Sequence, residues 1–354
     1  MRSARRDVTI GEVAARAGVS RAHAARALGG YGAVSEAVLS RVTAAAEELG
    51  YRANSLAKSV STGRSQSVGV VVGDIENPFF ALSVRGISDT LRRAGYDVIL
   101  MNTGESLELE IDAVRALDGK RVDGFLVAPV LAPEGGHLRA LVDAGRPLVL
   151  FDRDIPEISA PSVVVDVRAA AHQLVDDLVA DGHRRIGFVS TLSSSPALWQ
   201  QDPQVAQTPV GRRLLGLGEA MSDHDLPLRP EDVRMAARSA EDIRRHTREL
   251  VTGEGPVTAL LASDAVVAVS ALEELRSLGL DVPSDISVAV FDDPPWARLI
   301  SPPLTVVSQP VLEIGVAAAE LLIDAMAGRA AAAVPELSAH LVRRGSTGPA
   351  PQGR

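Results

Sequence analysis

The chain of 354 residues contains no cysteine. Disulfides and cysteine-ligated metal sites are thereby excluded, and a reducing compartment fits. Aromatic residues make up only 3% of the chain, so a core must be built mainly from Ala, Val, Leu and Ile. No run approaches the roughly 18 consecutive apolar residues of a membrane span, so no membrane partner is expected. The first residues, Met1-Arg2-Ser3-Ala4-Arg5-Arg6-Asp7, are basic but no apolar stretch follows. A secretory signal is therefore not expected, and a cytoplasmic location is. Catalytic signatures are also missing. There is no Gly-x-Ser-x-Gly elbow, Walker loop or His-Glu-x-x-His, and Gly216-x-Gly218 lacks the third glycine of a dinucleotide fingerprint. The residues give no reason to expect an enzyme or a bound cofactor.

What is present is an uneven distribution of charge. Residues 1–66 hold ten Lys and Arg against five Asp and Glu. This head is +5 while the whole chain is −9, which leaves −14 on residues 67–354. A basic head on an acidic body points to a polyanion partner for the head alone. The length allows two or three domains.

Residues 8–50 read as three short helices. Thr9-Ile10-Gly11-Glu12 has the form of a capping box, with Thr9 as N-cap. Gly18 ends the first helix and Ser20 can cap the second, on which Ala24, Ala27 and Leu28 share a face. Ser35 is expected to cap a third helix with an apolar stripe of Val38, Val42, Ala45 and Leu49, stopped by Gly50. A polar linker follows, with a short helix expected around 54–61.

From Ser67 short apolar runs alternate with segments of helix length. The runs are 68–72, 98–101, 124–128, 148–151, 163–165, 186–189, 259–262 and 286–291. Such alternation predicts an α/β fold of doubly wound parallel sheets, and the length predicts two lobes. Ligands on these folds bind beyond the carboxyl ends of strands, where Asp152, Asp166, Ser263-Asp264 and Asp292 stand.

A helix-turn-helix places its second helix in the major groove with its first turn at the base edges. Arg21 and Ala22 occupy the first turn of that helix here, and Arg26 lies one turn beyond Ala22 on the same stripe. Arginine is the best bidentate partner of guanine, and Ala22 offers only apolar contact. Thr9 and Ser20, at helix N-termini, can position phosphates. Val8-Thr9-Ile10-Gly11-Glu12-Val13-Ala14-Ala15-Arg16-Ala17-Gly18-Val19-Ser20 resembles the opening of the LacI/GalR family of repressors. Val34-Ser35 and Gly50-Tyr51-Arg52-Ala53-Asn54-Ser55-Leu56-Ala57 continue the likeness.

The resemblance implies that Arg21, Ala22 and Arg26 read bases, with His23 at a position where the family usually carries Thr. It also implies a hinge helix near 54–61, including Asn54 and Ala57, that enters the minor groove. Its wedge there is Val60, where leucine is usual. Double-stranded, pseudo-palindromic operator DNA and a homodimer are the implied partners. No leucine-rich heptad tail is present to extend the dimer to a tetramer. The implied domains are a headpiece at 8–52, a hinge and linker at 53–66, and a two-lobed periplasmic-binding-protein-like sensor at 67–345. Lobe 1 would take about 67–164 plus 293–328, and lobe 2 about 165–292 plus 329–345.

Asp74-Ile75-Glu76-Asn77-Pro78-Phe79-Phe80, Gly182-His183-Arg184-Arg185-Ile186-Gly187 and Pro302-Pro303-Leu304-Thr305-Val306-Val307-Ser308-Gln309-Pro310 carry the resemblance into the sensor. It implies a sugar-like effector held by Phe79, Phe80, Asp152, Arg153, Arg213, Ser263, Asp292 and Gln309. Ser263 stands where the family usually has Asn, so a different hydroxyl pattern is expected. Other readings remain open at this stage. Phe79 can be core, Asp152 and Asp292 can cap helices, Arg212 can stand in for Arg213, and Trp296 can stack on ligand or close the lobes. Asp292-Asp293 could hold a metal, but no further ligands cluster with it in sequence, and none is expected.

Overall fold

The computed structural model describes residues 8–29, 33–51, 64–130, 135–192, 208–237, 239–329, 333–334 and 336–352. The expected hinge residues Asn54, Ala57 and Val60 lie outside the described residues. The chain divides into two compact units, Met1–Gln66 and Ser67–Arg354.

The first unit holds helices α1 (Ile10–Ala17), α2 (Arg21–Gly29) and α3 (Glu36–Leu49). Thr9 and Glu12 form the reciprocal capping box: Thr9 N–H donates to the Glu12 carboxylate at 2.6 Å, and Thr9 Oγ1 accepts from Glu12 N–H at 3.4 Å. Gly18 and Gly50 end α1 and α3 at φ +65°, a left-handed conformation that costs glycine nothing. Ser35 occupies the N-cap position of α3 without a side-chain capping bond, so that expectation holds only for its backbone. Val13, Ala14, Ala17, Ala24, Ala27, Val42, Ala45 and Ala46 are buried together, and Val38 and Leu49 pack against them. Small side chains let three short helices approach closely. Arg16 of α1 and Glu48 of α3 form an exposed ion pair at 2.7 Å.

The second unit begins with β1 (Ser67–Val72), α4 (Pro78–Arg93), β2 (Asp97–Asn102), α5 (Leu107–Gly119), β3 (Gly124–Val127), α6 (Gly136–Asp143), β4 (Leu148–Phe151) and β5 (Ser162–Val163). It continues with β6 (Val165–Asp166), α7 (Arg168–Ala180), β7 (Ile186–Val189), α8 (Pro209–Asp223), β8 (Val233–Arg234), α9 (Ala240–Thr252), β9 (Ala259–Ala262), α10 (Ala265–Ser277) and β10 (Ser287–Phe291). The last elements are β11 (Thr305–Ser308), α11 (Val311–Met326), β12 (Leu337–Ser338) and β13 (His340–Val342).

One sheet runs β2-β1-β3-β4-β5 and is parallel throughout. The other runs β13-β11-β10-β9-β7-β8, with only β13 antiparallel. Strands β3, β4, β7, β9 and β10 are short and buried on both faces, as helix-covered parallel sheets require, while the edge strand β2 is largely exposed.

The chain leaves the first sheet after Val163 and enters the second lobe through β6. The return was expected near 292, and the structure moves it. Thr305 pairs with Ala289 and Val307 with Phe291, so β11 extends the second sheet. Residues 293–308 therefore belong to lobe 2, and the chain crosses at Gln309-Pro310 into α11, which packs on α4 in lobe 1. The reason is pairing: an apolar run beside β10 completes a parallel ladder, which no local pattern announces. Leu337–Ser338 then pairs with Val165–Asp166, so the outgoing and last segments run side by side.

Candidate functional site

Two acids stand at equivalent places. Asp152 follows Phe151 at the end of β4, and Asp292 follows Phe291 at the end of β10. Both adopt positive φ, +66° and +74°. Such backbones are uncommon outside glycine, although Asp tolerates them, and they turn the chain sharply as it leaves the strand. Neither caps a helix; the capping acid is Asp264, whose Oδ1 accepts from Val266 and Val267 N–H at 2.9 and 3.0 Å.

Burial pushes the Asp152 carboxyl up to about 6, against the opposing pull of Arg153 and Arg213. Burial likewise raises Asp292, countered by Arg213 and by the Gln309 amide, which donates to Asp292 Oδ1 at 2.6 Å.

Arg213 is buried on α8. Its Nη1 donates to the Ser263 carbonyl, its Nη2 lies 3.8 Å from Asp292, and its guanidinium sits 5.1 Å from the centre of the Phe291 ring. Its Nε is buried with no hydrogen-bond partner. Arg212 faces the cleft and pairs with Asp154. Both arginines therefore reach the region, Arg213 as the buried member. Arg153 is held by Glu105 in a bidentate pair at 2.6 and 2.8 Å. Glu105 carried no sequence signal, being 48 residues away. Ser263 Oγ donates to Asp264 Oδ2 at 2.8 Å, so its hydroxyl supports the helix cap.

A cleft at the two crossings is lined, among the described residues, by Asp152, Val165, Val167, Pro209, Arg212, Gln309 and Ile314. Phe79 and Phe80 are packed edge to face, 5.3 Å apart at 87°, and both are buried in the core cluster that joins the lobes. Trp296 packs on the core of lobe 2. Asp293 pairs with Arg344 at 2.7 Å, and no group of three potential metal ligands occurs among the described residues.

In the first unit, α2 turns Ala24 and Ala27 inward and leaves Arg21, Ala22 and His23 exposed. Arg26 is half-buried, with Nε unpartnered. Ser20 Oγ accepts from His23 N–H at 3.2 Å and lies 2.8 Å from His23 Nδ1, so Ser20 and His23 form one small unit at the helix start.

Residues 9–54 match the family described as bacterial regulatory proteins, lacI family, and residues 175–347 match the periplasmic binding protein-like domain. The HTH-type transcriptional regulator PtxS of Pseudomonas putida is 31% identical over 98% of this chain and 97% of its own. This chain belongs to the LacI family. Among solved structures, a putative ribose operon repressor from Burkholderia thailandensis is 32% identical, covering 79% of this chain and 99% of its own, with a TM-score of 0.68. A LacI-family regulator from Lactobacillus casei with bound glucose is 28% identical over 79% and 99%, with a TM-score of 0.67. The protein is thus a ligand-responsive, DNA-binding transcriptional regulator, and these relatives are regulators rather than enzymes. No helix among the described residues is long and apolar enough to cross a membrane.

Proposed function

We propose that this LacI-family protein is a cytoplasmic, non-enzymatic repressor of carbohydrate genes that acts as a homodimer on a pseudo-palindromic operator. Arg21, Ala22, His23 and Arg26 read the major groove, Thr9 and Ser20 position phosphates, and Asn54, Ala57 and Val60 contact the minor groove. One headpiece reads a half-site, so two copies are needed. A sugar between the lobes contacts Asp152, Arg153, Arg213, Asp292 and Gln309, while Ser263 shapes one wall. Phe79 and Phe80 act from behind as the packed floor of the lobe junction.

The observation that carries this reading is Arg213. Its guanidinium lies beside buried Asp292 with Nε unpartnered. A buried donor without a partner is costly, and a sugar hydroxyl satisfies it. The glucose-bound relative supports the ligand class. Because the cleft stands where the chain crosses between lobes, a ligand there changes their relative angle and so the DNA-bound population. A transport binding protein is the second reading, and the matched headpiece at 9–54 disfavours it. A thermal-shift screen of neutral pentoses, neutral hexoses and their phosphates tests the proposal. Stabilisation by a sugar, lost in Asp292→Ala, is expected; no stabilisation by any of them overturns it.

A further inference from the structure

The charges around the cleft restrict its ligand. Arg212 lines it, Arg153 and Arg213 stand near enough to its Asp152 to act on that charge, and each of the three has a carboxylate of its own. Arg153 is gripped by Glu105, Arg212 pairs with Asp154, and Arg213 lies beside Asp292. Asp152 is a fourth carboxylate, with only a 3.4 Å approach from Arg153 Nε. Among the described residues, four acids thus stand with three cations, and each of the three is engaged. What is available is hydrogen-bonding capacity without surplus charge: the Nε atoms of Arg153 and Arg213 are buried donors that make no hydrogen bond, although Arg153 Nε lies 3.4 Å from Asp152.

Glu105 is the unusual member. It has φ +59°, and its carboxylate lies against the backbone of Gly73. A Cβ on Gly73 would stand 2.1 Å from Glu105 Oε1, so a larger residue there would make the Glu105 carboxylate shift from this position. Arg153 Nη1 also donates to the Pro129 carbonyl at 3.1 Å. Both N–H groups of Arg153 Nη1 are therefore used within the protein, and Nη2 gives one of its two to Glu105.

We infer that Glu105 is a specificity-determining residue that neutralises Arg153 and restricts the effector to uncharged hydroxyl compounds, excluding sugar phosphates and sugar acids. This rests on the reading of the cleft as a sugar site. An anionic group entering here would meet Asp152 and Asp292 with no unengaged guanidinium among the described residues to balance it, a repulsive element of the kind that sets specificity. Removing the Glu105 charge releases the two Nη atoms, whose fork matches phosphate and carboxylate geometry.

The test uses the full-length protein, with inorganic phosphate as the first probe and calorimetry as the readout. Wild type should bind no phosphate, and Glu105→Gln should gain binding. Glu320→Gln, which removes an equal charge from the exposed face of α11, should not. Adding Arg153→Gln to Glu105→Gln should abolish the gain. Failure of a folded Glu105→Gln variant to gain phosphate binding overturns the inference even if sugars bind as proposed. The second arm needs no variant. Wild type is titrated with D-ribose, D-glucose, ribose 5-phosphate and gluconate. A preference of about tenfold or more for a neutral sugar is expected. Equal or tighter binding of a charged partner overturns the inference, whereas absence of all sugar binding counts against the sugar reading and leaves the phosphate result to decide Glu105.

Discussion

The amide of Gln309 donates to Asp292 Oδ1 at 2.6 Å and so joins the first residue after β11 to the first residue after β10. Gln309 is also where the chain departs for lobe 1. A ligand that engages Asp292 therefore acts one hydrogen bond away from a crossing segment. Asp292→Asn keeps the shape but removes the charge facing Arg213. Effector affinity should fall by about 2 kcal/mol or more, well over tenfold, because a buried guanidinium loses its counter-charge. Operator affinity without effector should stay near wild type. Calorimetry and fluorescence anisotropy on the same preparation check both parts, and an unchanged effector affinity would remove Asp292 from the site.

Asp152 makes stability depend on pH in a definite direction. Its carboxyl titrates at about 6 in the folded protein, against an ordinary value of 3.8. Between those values the native state keeps a proton that the unfolded chain has released. Stability from this group is thus fully present below about pH 4 and lost as pH rises through about 6, by up to about 3 kcal/mol. Burial of His183 among Thr258, Ser287 and Gly348 acts oppositely, since its lowered pKa favours the neutral form and higher pH. Urea unfolding of wild type and Asp152→Asn, compared at each pH, isolates the carboxylate. The variant should gain relative to wild type between pH 4 and 7. A difference that stays flat across that range would show that Asp152 is not held at a raised pKa.

These two acids were legible because strand ends in parallel sheets are where chemistry collects, and Phe151 and Phe291 sit in continuous apolar runs. The headpiece was legible for a local reason: Thr9-x-x-Glu12, Gly18 and Gly50 carry their own capping chemistry. What escaped was set by distant pairing. β11 joins β10 through a ladder that no periodicity in 305–308 signals, and so the second crossing was misplaced. β8 and β12 have two residues each, too short to show alternation. Glu105 meets Arg153, and Asp154 meets Arg212, across 48 and 58 residues, and a lone acid after a strand gives no hint of its partner. Phe79 and Phe80 show the converse. An aromatic pair after Asn77-Pro78 fits either a stacking wall or a core, and burial alone distinguishes them.

Arg26 tests the DNA-reading face. It is half-buried on α2, one turn beyond exposed Ala22, while Ala24 and Ala27 face inward. Arg26→Ala leaves the buried cluster of the headpiece intact, so the helical circular dichroism should not change. Loss of a bidentate base contact costs about 1–3 kcal/mol per half-site. Specific operator affinity should fall by at least tenfold, with a much smaller effect on non-specific DNA. Equal losses on both DNAs would make Arg26 a phosphate contact instead.

The contact between α4 and α11 depends on two glycines. A Cβ on Gly315 would lie 2.1 Å from the Ser83 carbonyl oxygen, and one on Gly86 would lie 2.4 Å from that of Leu312. The helix backbones touch there, and no side-chain rotation relieves a clash with a carbonyl. Gly315→Ala must push the helices apart and open the packing of Ile87, Ile314 and Ala318. Alanine's better helix propensity returns up to about 1 kcal/mol, but overpacking a close contact costs about 1–3 kcal/mol or more. Net destabilisation is expected, seen as a lower urea midpoint. Gly119, at the end of α5, has nothing within 4 Å of its Cβ position. Gly119→Ala gains propensity without a clash and should stabilise by up to about 1 kcal/mol. The same substitution should thus move the midpoint in opposite directions at the two sites. A shared direction would mean that helix propensity, not the backbone contact, governs both.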